Sequence, residues 1–450
     1  MKEFMMLVVK LRPEQDEKEL IISSDLAAHL SIGEEQNIKL QVGRNYKNMV
    51  LKISHAEKSR NTITINTSLA RKLCIYPNRK YAVSARGNTL QIGPVVGIMA
   101  EASRDARRPF GGQTFFIKQL LQSGRALGQI CFAFSPFSID WKSKSIHGYS
   151  WGDKGWIQGR FPLPDVVYPR EKAYSPVKLN IRRRLENMGA KFLNPALIGK
   201  WQTYRVITQN PSLVPFMPDT RLVNSFSQVD KMIKKYTAVY LKPVSGSQGR
   251  NIVRVVKKKT DSVYQYQYQL NGRLVKGSAS TLAQLRSCLK PVMGNRTYIA
   301  QKQINLLQSA GNIIDVRILV QKDHSGIWDV TGMACRVGRP GSITSNISAG
   351  GSGQKLETTL REKFPDKEKQ QEIIEKLRFV AVEACRTLEG SIGSSGEMGV
   401  DIGIDKGGQV WFIEANLRPA RQVFTLIGEK KTRMLSVMRP MLYCRYLAGF

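Results

Sequence analysis

The chain has 450 residues, of which 42% are hydrophobic, and its 69 Lys and Arg against 35 Asp and Glu give a net charge of +34. This hydrophobic content excludes a disordered protein, and the length predicts about three domains. No apolar run approaches the roughly 18 residues that span a bilayer, and the apolar segment after Met1 is too short for a secretory signal, so we expect cytoplasmic synthesis.

The first hundred residues contain an internal repeat. A pattern of apolar residues recurs 43 positions further along the chain. Each copy is typical of strand, short helix and strand, so residues 1–94 are predicted to form a small β-barrel-like domain for binding or docking. Because the matches are few, a chance similarity stays open as an alternative. The first copy is Ile22, Leu26, Ala27, Leu30 and Ile32, and the second is Ile65, Leu69, Ala70, Leu73 and Ile75.

An α/β pattern follows Gly93-Pro94. The apolar run from Val95 to Met99 indicates a strand, and the pattern predicts a helix near 113–121 and strands at 129–134 and 165–168. We therefore predict a second domain at 95–172 and a third at 173–450. Within the third, helical periodicity predicts helices at 226–236 and 366–389.

A glycine-containing loop with one lysine at its start is the most informative segment. Lys242 precedes Gly246 and Gly249, and apolar strand patterns flank the loop. Glycine lets a backbone approach a polyphosphate closely, and Lys242 and Arg250 supply positive charge. A Walker loop is excluded, because a strand rather than a helix follows. An ordinary hairpin turn is the alternative for this loop taken alone.

Oxygen-bearing side chains occupy two predicted strands near the end of the chain. Asp401 lies on the first strand, and Glu414 and Asn416 are two residues apart on the second, which places them on one face. Mg²⁺ prefers such oxygen donors together with phosphates. Glu414 follows an apolar run, which favours a functional carboxylate over a solvated strand residue.

Further motifs lie between these two segments: Tyr-Ile-Ala-Gln-Lys-Gln-Ile at 298–304, Asp-Val-Arg at 315–317, Ser-Asn-Ile-Ser-Ala-Gly-Gly at 345–351 and Glu-Ala-Asn-Leu-Arg-Pro at 414–419. In this order the motifs resemble the ATP-grasp superfamily and, within it, the YheC/YheD endospore coat-associated family, in its longer YheD type. The resemblance implies an α/β (α+β) protein with three parts: a β-barrel-like domain, an α/β pre-ATP-grasp domain, and an ATP-grasp domain that holds the nucleotide between two α+β lobes.

The resemblance also implies site residues, with ATP and Mg²⁺ as ligands. Lys242 and Arg317 are implied as catalytic residues. The implied nucleotide-binding residues are Lys200, Lys242, Ser245, Gly246, Ser247, Gln248, Gly249, Gln301, Lys302 and Ile304. The implied substrate-binding residues are Arg336, Asn346, Gly350 and Gly351, and the implied metal ligands are Asp401, Glu414 and Asn416.

Two departures from the superfamily pattern affect this assignment. Gln301 and Lys302 stand where an acidic residue is frequent, so the ribose-binding residue is unassigned. Ala420 follows Pro419 where glycine is usual, which puts the geometry of the acceptor substrate in doubt.

The chemistry that the resemblance implies is carboxylate–amine ligation through an acyl phosphate, on an unidentified carboxylate and nucleophile. An ATP-binding structural protein without turnover is the alternative. In that case spore-coat proteins or an anionic polymer would be its partners. For either function the resemblance implies a location at the endospore coat or forespore surface.

Charge distribution keeps a third possibility open. Residues 101–300 hold 33 Lys and Arg against 10 Asp and Glu, so this region would attract polyanions, nucleic acid included. A basic surface around a nucleotide site is the competing explanation. The four histidines are unpaired in the sequence, and the six cysteines lack metal-binding spacing, so we expect reduced, buried thiols.

Overall fold

The computed structural model describes residues 6–14, 16–33, 37–55, 61–77, 79–171, 175–194, 199–246, 250–258, 260, 262–270, 273–343, 345, 347 and 350–450. The chain divides into two compact units. The first comprises residues 1–195, 322–327 and 437–450, and the second comprises residues 196–321 and 328–436. None of the described helices combines the length and apolarity that crossing a bilayer requires.

A closed barrel occupies the start of the first unit, and its strand order is β1-β5-β2-β4-β3-β7-β6. Its elements are β1 (Met6–Arg12), β2 (Glu19–Ser23), α1 (Ser24–Leu30), β3 (Asn37–Val42), β4 (Asn45–Ser54), β5 (Thr62–Asn66), α2 (Thr67–Lys72), β6 (Lys80–Arg86) and β7 (Thr89–Gly93).

The predicted repeat is confirmed at the level of these elements, because β2-α1-β3 and β5-α2-β6 have the same order. Ser23 and Asn66 occupy equivalent positions, and the side chain of each accepts a hydrogen bond from the first turn of the helix that follows it. Such N-caps start a helix directly at the end of a strand. Ile22 and Ile65 are fully buried in the barrel core.

A mixed sheet forms the rest of the first unit, in the order β10-β11-β9-β8-β13-β14 with β12 paired to β11. Its elements are β8 (Val95–Met99), α3 (Thr114–Ala126), β9 (Ile130–Phe134), β10 (Ile139–Asp140), β11 (Ser145–Gly152), β12 (Gly155–Pro162), β13 (Val166–Pro169), α4 (Pro176–Asn187) and β14 (Lys191–Phe192). Because β14 pairs with β13, this sheet continues beyond 172, where we set the end of the second domain. The three domain limits stay predictions.

The second unit contains two sheets. The first is antiparallel, in the order β15-β20-β16-β17-β18-β19. The helix α5 (Lys200–Ile207) precedes this sheet in the chain. Its elements are β15 (Thr220–Val223), α6 (Phe226–Tyr236), β16 (Ala238–Pro243), β17 (Val253–Val256), β18 (Tyr264–Leu270), β19 (Arg273–Ala279), α7 (Leu282–Met293) and β20 (Tyr298–Lys302).

The second sheet has the order β24-β23-β22-β25-β26, with β21 paired to β22. Its core packs against α9 through Ile373, Leu377 and Val380. The predicted helices at 226–236 and 366–389 are confirmed by α6 and α9. The elements are β21 (Gln308–Ser309), β22 (Asn312–Lys322), β23 (Trp328–Val337), β24 (Ser352–Gln354), α8 (Leu356–Lys363), α9 (Lys367–Ile392), β25 (Glu397–Ile404), β26 (Val410–Asn416), α10 (Gln422–Leu426) and α11 (Lys430–Ala448).

Candidate functional site

A cavity of about 540 Å³ in the second unit is lined by residues from both of its sheets. Clefts of roughly 300–1,000 Å³ are typical of small-molecule sites. The first sheet contributes Tyr240, Lys242 and Gln301, and the second contributes Asp315, Arg336, Asp401 and Glu414.

Strand alternation decides which side chains of β16 reach this cavity. Val239 and Leu241 point into the core beneath the helices, whereas Tyr240 and Lys242 line the cavity. The Lys242 Nζ donates to Gln301 Oε1 at 2.6 Å, and Gln301 Nε2 donates to Thr220 Oγ1 at 2.9 Å. Gln301 was expected near the adenine, but here its side chain positions Lys242.

A second cation approaches the cavity from α5. Lys200 begins this helix, and its backbone N–H donates to the Val244 carbonyl at 3.1 Å. Its Nζ donates to the Gly246 carbonyl at 2.7 Å and lies 3.8 Å from Glu414 Oε2. Gly246 has φ +132°, which side-chain-bearing residues rarely adopt. Lys200 therefore joins the loop after β16 to Glu414.

The two cations perturb each other. Burial lowers the pKa of Lys242 to about 8 against the attraction of Glu414, and repulsion from Lys200 acts in the same direction as burial. A lysine that loses water in this way interacts strongly with an incoming anion, because few solvent dipoles screen its charge.

Four buried charges alternate along the second sheet. The Asp401 carboxylate receives Arg317 Nε at 2.5 Å, Arg317 Nη2 at 3.1 Å and Arg336 Nη2 at 2.9 Å. Arg336 also binds Asp315 through two hydrogen bonds of 2.7 and 2.5 Å. Burial raises the pKa of Asp401, but the two guanidinium groups outweigh burial and hold this pKa below its ordinary value.

The predicted metal ligands meet only in part. Asp401 pairs with Glu414 across β25 and β26, and Asn416 Nδ2 donates to Glu414 Oε1 at 3.0 Å. Both oxygens of Asp401 are bound by guanidinium groups. Within the described ranges, no three His, Cys, Asp or Glu side chains are grouped closely enough to hold a metal ion.

The donor chemistry nevertheless fits Mg²⁺ at Glu414 and Asn416. Mg²⁺ is usually held by one or two carboxylates, several waters and the phosphates of a substrate. Glu414 has 30% of its side chain exposed and lines the cavity. The structure therefore supports Glu414 and Asn416 as metal ligands and assigns Asp401 to the arginines.

Other predicted residues differ in their position. Lys302 and Ile304 line the cavity, and Lys302 lies 5.2 Å from the centre of the Trp411 ring. Arg317, Ser245, Gly350 and Gly351 are not among the lining residues. The predictions for Ser247, Gln248, Gly249 and Asn346 lie outside the described residues.

Sequence reasoning missed Arg254. This arginine lines the cavity from β17 and its Nε donates to Gln303 Oε1 at 2.6 Å. The alternation of Val253, Arg254 and Val255 was the available signal, because both valines are buried under the helices.

Comparisons with known proteins agree with this architecture. A family model described as YheC/D like ATP-grasp matches residues 189–447. The endospore coat-associated protein YheD of Bacillus subtilis (strain 168) is 28% identical over 399 residues, covering 86% of each chain. YheC of the same strain is 23% identical over 325 residues, covering 70% of this chain and 86% of YheC.

Two solved structures illustrate the similarity of fold. D-cycloserine synthetase DcsG has a TM-score of 0.45 and 13% identity, with coverage of 77% of this chain and 99% of DcsG. D-alanyl-alanine synthetase A from Vibrio cholerae O1 has a TM-score of 0.44 and 11% identity, with coverage of 78% and 99%.

Proposed function

Because the chain belongs to the YheC/D-like ATP-grasp family, we propose that it binds Mg-ATP in the cavity of the second unit and activates a carboxylate substrate. The carboxylate oxygen attacks the γ-phosphorus, the bond to the β-phosphate oxygen breaks, and ADP leaves. A nucleophile then attacks the carbonyl carbon of the acyl phosphate, inorganic phosphate leaves, and the nucleophile loses a proton.

The observation that carries this proposal is the meeting of Lys200, Lys242 and Glu414 at one cavity. Two cations on one side and an oxygen-bearing pair, Glu414 and Asn416, on the other suit a metal-bound polyphosphate. A structural protein has no physical need for a partly desolvated lysine beside a second lysine, since this arrangement costs stability.

Each residue has a separate part in the proposed reaction. Lys242 and Lys200 would neutralise charge on the phosphates, and Gln301 keeps Lys242 in place through its hydrogen bond. Glu414 and Asn416 would hold Mg²⁺, which supplies further charge neutralisation when bound. Arg336 lies at the cavity wall and could orient the carboxylate substrate.

A location at the endospore coat is part of this proposal. The relatives YheD and YheC carry the name endospore coat-associated protein, and the family match supports carrying that association to this chain. Immunodetection in coat extracts of purified spores tests this association, and detection only in the spore core would contradict it.

Turnover is tested by trapping the activated acid. With Mg-ATP, hydroxylamine and a panel of amino acids, dicarboxylates and short peptides, we expect ADP release that depends on one class of acid, together with its hydroxamate. Glu414→Gln is expected to lower this rate by about 100-fold or more, because a group that stabilises charge in the transition state is lost. Glu357→Gln, on exposed α8 and away from the cavity, is the matched control.

The assay separates the two functions that the sequence left open. Mg-ATP binding without ADP release for any acid would contradict the ligase and favour an ATP-binding structural protein. Equal rates in Glu414→Gln and the wild type would contradict the proposed site.

The lowered pKa of Lys242 predicts proton uptake on binding. Near pH 8 about half of the Lys242 side chains are neutral in the free protein, and a bound polyphosphate favours the charged form. Affinity should therefore fall as the pH rises above about 8. Calorimetry in two buffers of different ionisation enthalpy at about pH 8 should report up to about half a proton taken up from Lys242. Equal uptake by Lys242→Gln would contradict this assignment.

A further inference from the structure

Positive charge is concentrated in one lobe of the second unit. Residues 219–302 hold 16 Lys and Arg but 3 Asp and Glu. Five of these cations lie on the solvent side of α6 and α7, and we name this surface the basic helix face. It consists of Lys231, Lys234, Lys235, Arg286 and Lys290, all of them exposed.

The basic helix face cannot serve the nucleotide cavity. Both helices pack on the same side of their sheet, through Val229 and Ile233 of α6 and Leu285 and Leu289 of α7. The cavity lies against the other side of the sheet, where Lys242 emerges. A six-stranded sheet therefore separates these cations from the proposed phosphates, and another ligand has to explain them.

The nearby acidic side chains neutralise only part of this charge. Lys234 is 2.8 Å from Asp230, and Lys235 is 3.2 Å from Asp219. Tyr264 and Tyr236 also donate hydrogen bonds to these two carboxylates. Within the part of the chain that the structure describes, Lys231, Arg286 and Lys290 have no ion pair with a carboxylate.

The surface chemistry selects among polyanions. Between 219 and 302, the exposed large hydrophobic residues of the described chain are limited to Leu274, which is 36% exposed and lies on β19. Stacking of nucleic-acid bases needs exposed aromatic rings, and insertion into a membrane needs an apolar face. Neither feature is present on the described part of the basic helix face.

The spacing of the cations suits an extended acidic polypeptide. Arg286 and Lys290 are one helical turn apart, which separates their positions by about 6 Å along α7. Side chains on one face of an extended chain repeat at about 6.6 Å. We propose that the basic helix face binds an acidic polypeptide, a second ligand distinct from the nucleotide.

A charge-matched pair of triple variants tests this inference. The first variant combines Lys231→Gln, Arg286→Gln and Lys290→Gln. The control combines Arg361→Gln, Lys363→Gln and Lys367→Gln on exposed positions of α8 and α9, which removes the same charge elsewhere in the unit. Fluorescence anisotropy with a labelled poly-L-glutamate measures binding at low salt in the absence of ATP.

The first variant should bind poly-L-glutamate about 100-fold more weakly than the wild type, with a shallower salt dependence, whereas the control should change by less than about threefold. Equal weakening in both variants would show attraction by net charge alone and would overturn the inference. Binding of duplex DNA or anionic vesicles but not poly-L-glutamate would overturn it as well. Unchanged melting temperatures establish that both variants are folded.

Discussion

Lys242→Ala is expected to weaken Mg-ATP binding by at least about 100-fold. Lys242 emerges into the cavity from β16, is held by Gln301 at 2.6 Å, and has lost much of its hydration. Hydrogen bonds to charged groups contribute about 1.5–3 kcal/mol each, and removal of the ammonium also leaves the repulsion between phosphates unopposed. Isothermal calorimetry of the purified protein measures the loss.

The matched control for this experiment is Lys257→Ala. Lys257 follows β17 in the same lobe and lies 4.2 Å from the centre of the Tyr264 ring, away from the cavity. We expect its affinity for Mg-ATP to stay within about twofold of the wild type, because the charge is distant and screened. A similar loss in both variants would point to general electrostatics, and an unchanged Lys242→Ala would contradict the nucleotide site.

Asp401→Asn should lower the free energy of unfolding of the second unit by about 3–5 kcal/mol. The substitution removes one of two buried acids that balance two buried arginines, and breaking a buried ion pair on one side leaves a charge without compensation. Arg336 keeps Asp315, whereas Arg317 loses the carboxylate that binds its Nε and Nη2 atoms. Urea unfolding followed by circular dichroism measures the effect.

A surface variant and a double variant distinguish the cause of this loss. Asp153→Asn removes a carboxylate that is 85% exposed and paired with Arg125 at 3.1 Å, so stability should change by less than about 1 kcal/mol. The double variant Asp401→Asn with Arg317→Met should be more stable than Asp401→Asn alone, because it also removes the uncompensated charge. Equal stability of the single and double variants would contradict the charge argument.

Much of the architecture was predictable because it depends on local patterns. Helix α6 was predicted over the residues it occupies, since its apolar residues repeat at helical spacing and its flanking strands do not. The barrel repeat was visible for a similar reason: Ile22 and Ile65 precede two short helices that start from equivalent caps.

The partners of charged residues were not predictable in this way. Asp401 was expected to bind a metal ion, but Arg317 and Arg336 from two neighbouring strands occupy its oxygens. Pairing between β25 and β26 also passes from Glu414 to Phe412 and skips Ile413. Such a bulge changes which side chains face each other, and alternation along a single strand does not reveal it.

The sequence by itself determined the order of the elements, the concentration of charge in residues 101–300 and the resemblance to the ATP-grasp superfamily, because periodicity, composition and motif order are properties of the chain. Only the tertiary structure decided that Gln301 holds Lys242, that Asp401 belongs to two arginines, and that α6 and α7 present their cations away from the cavity. These features depend on contacts between segments tens of residues apart, and the folding of the sheets alone brings those segments together.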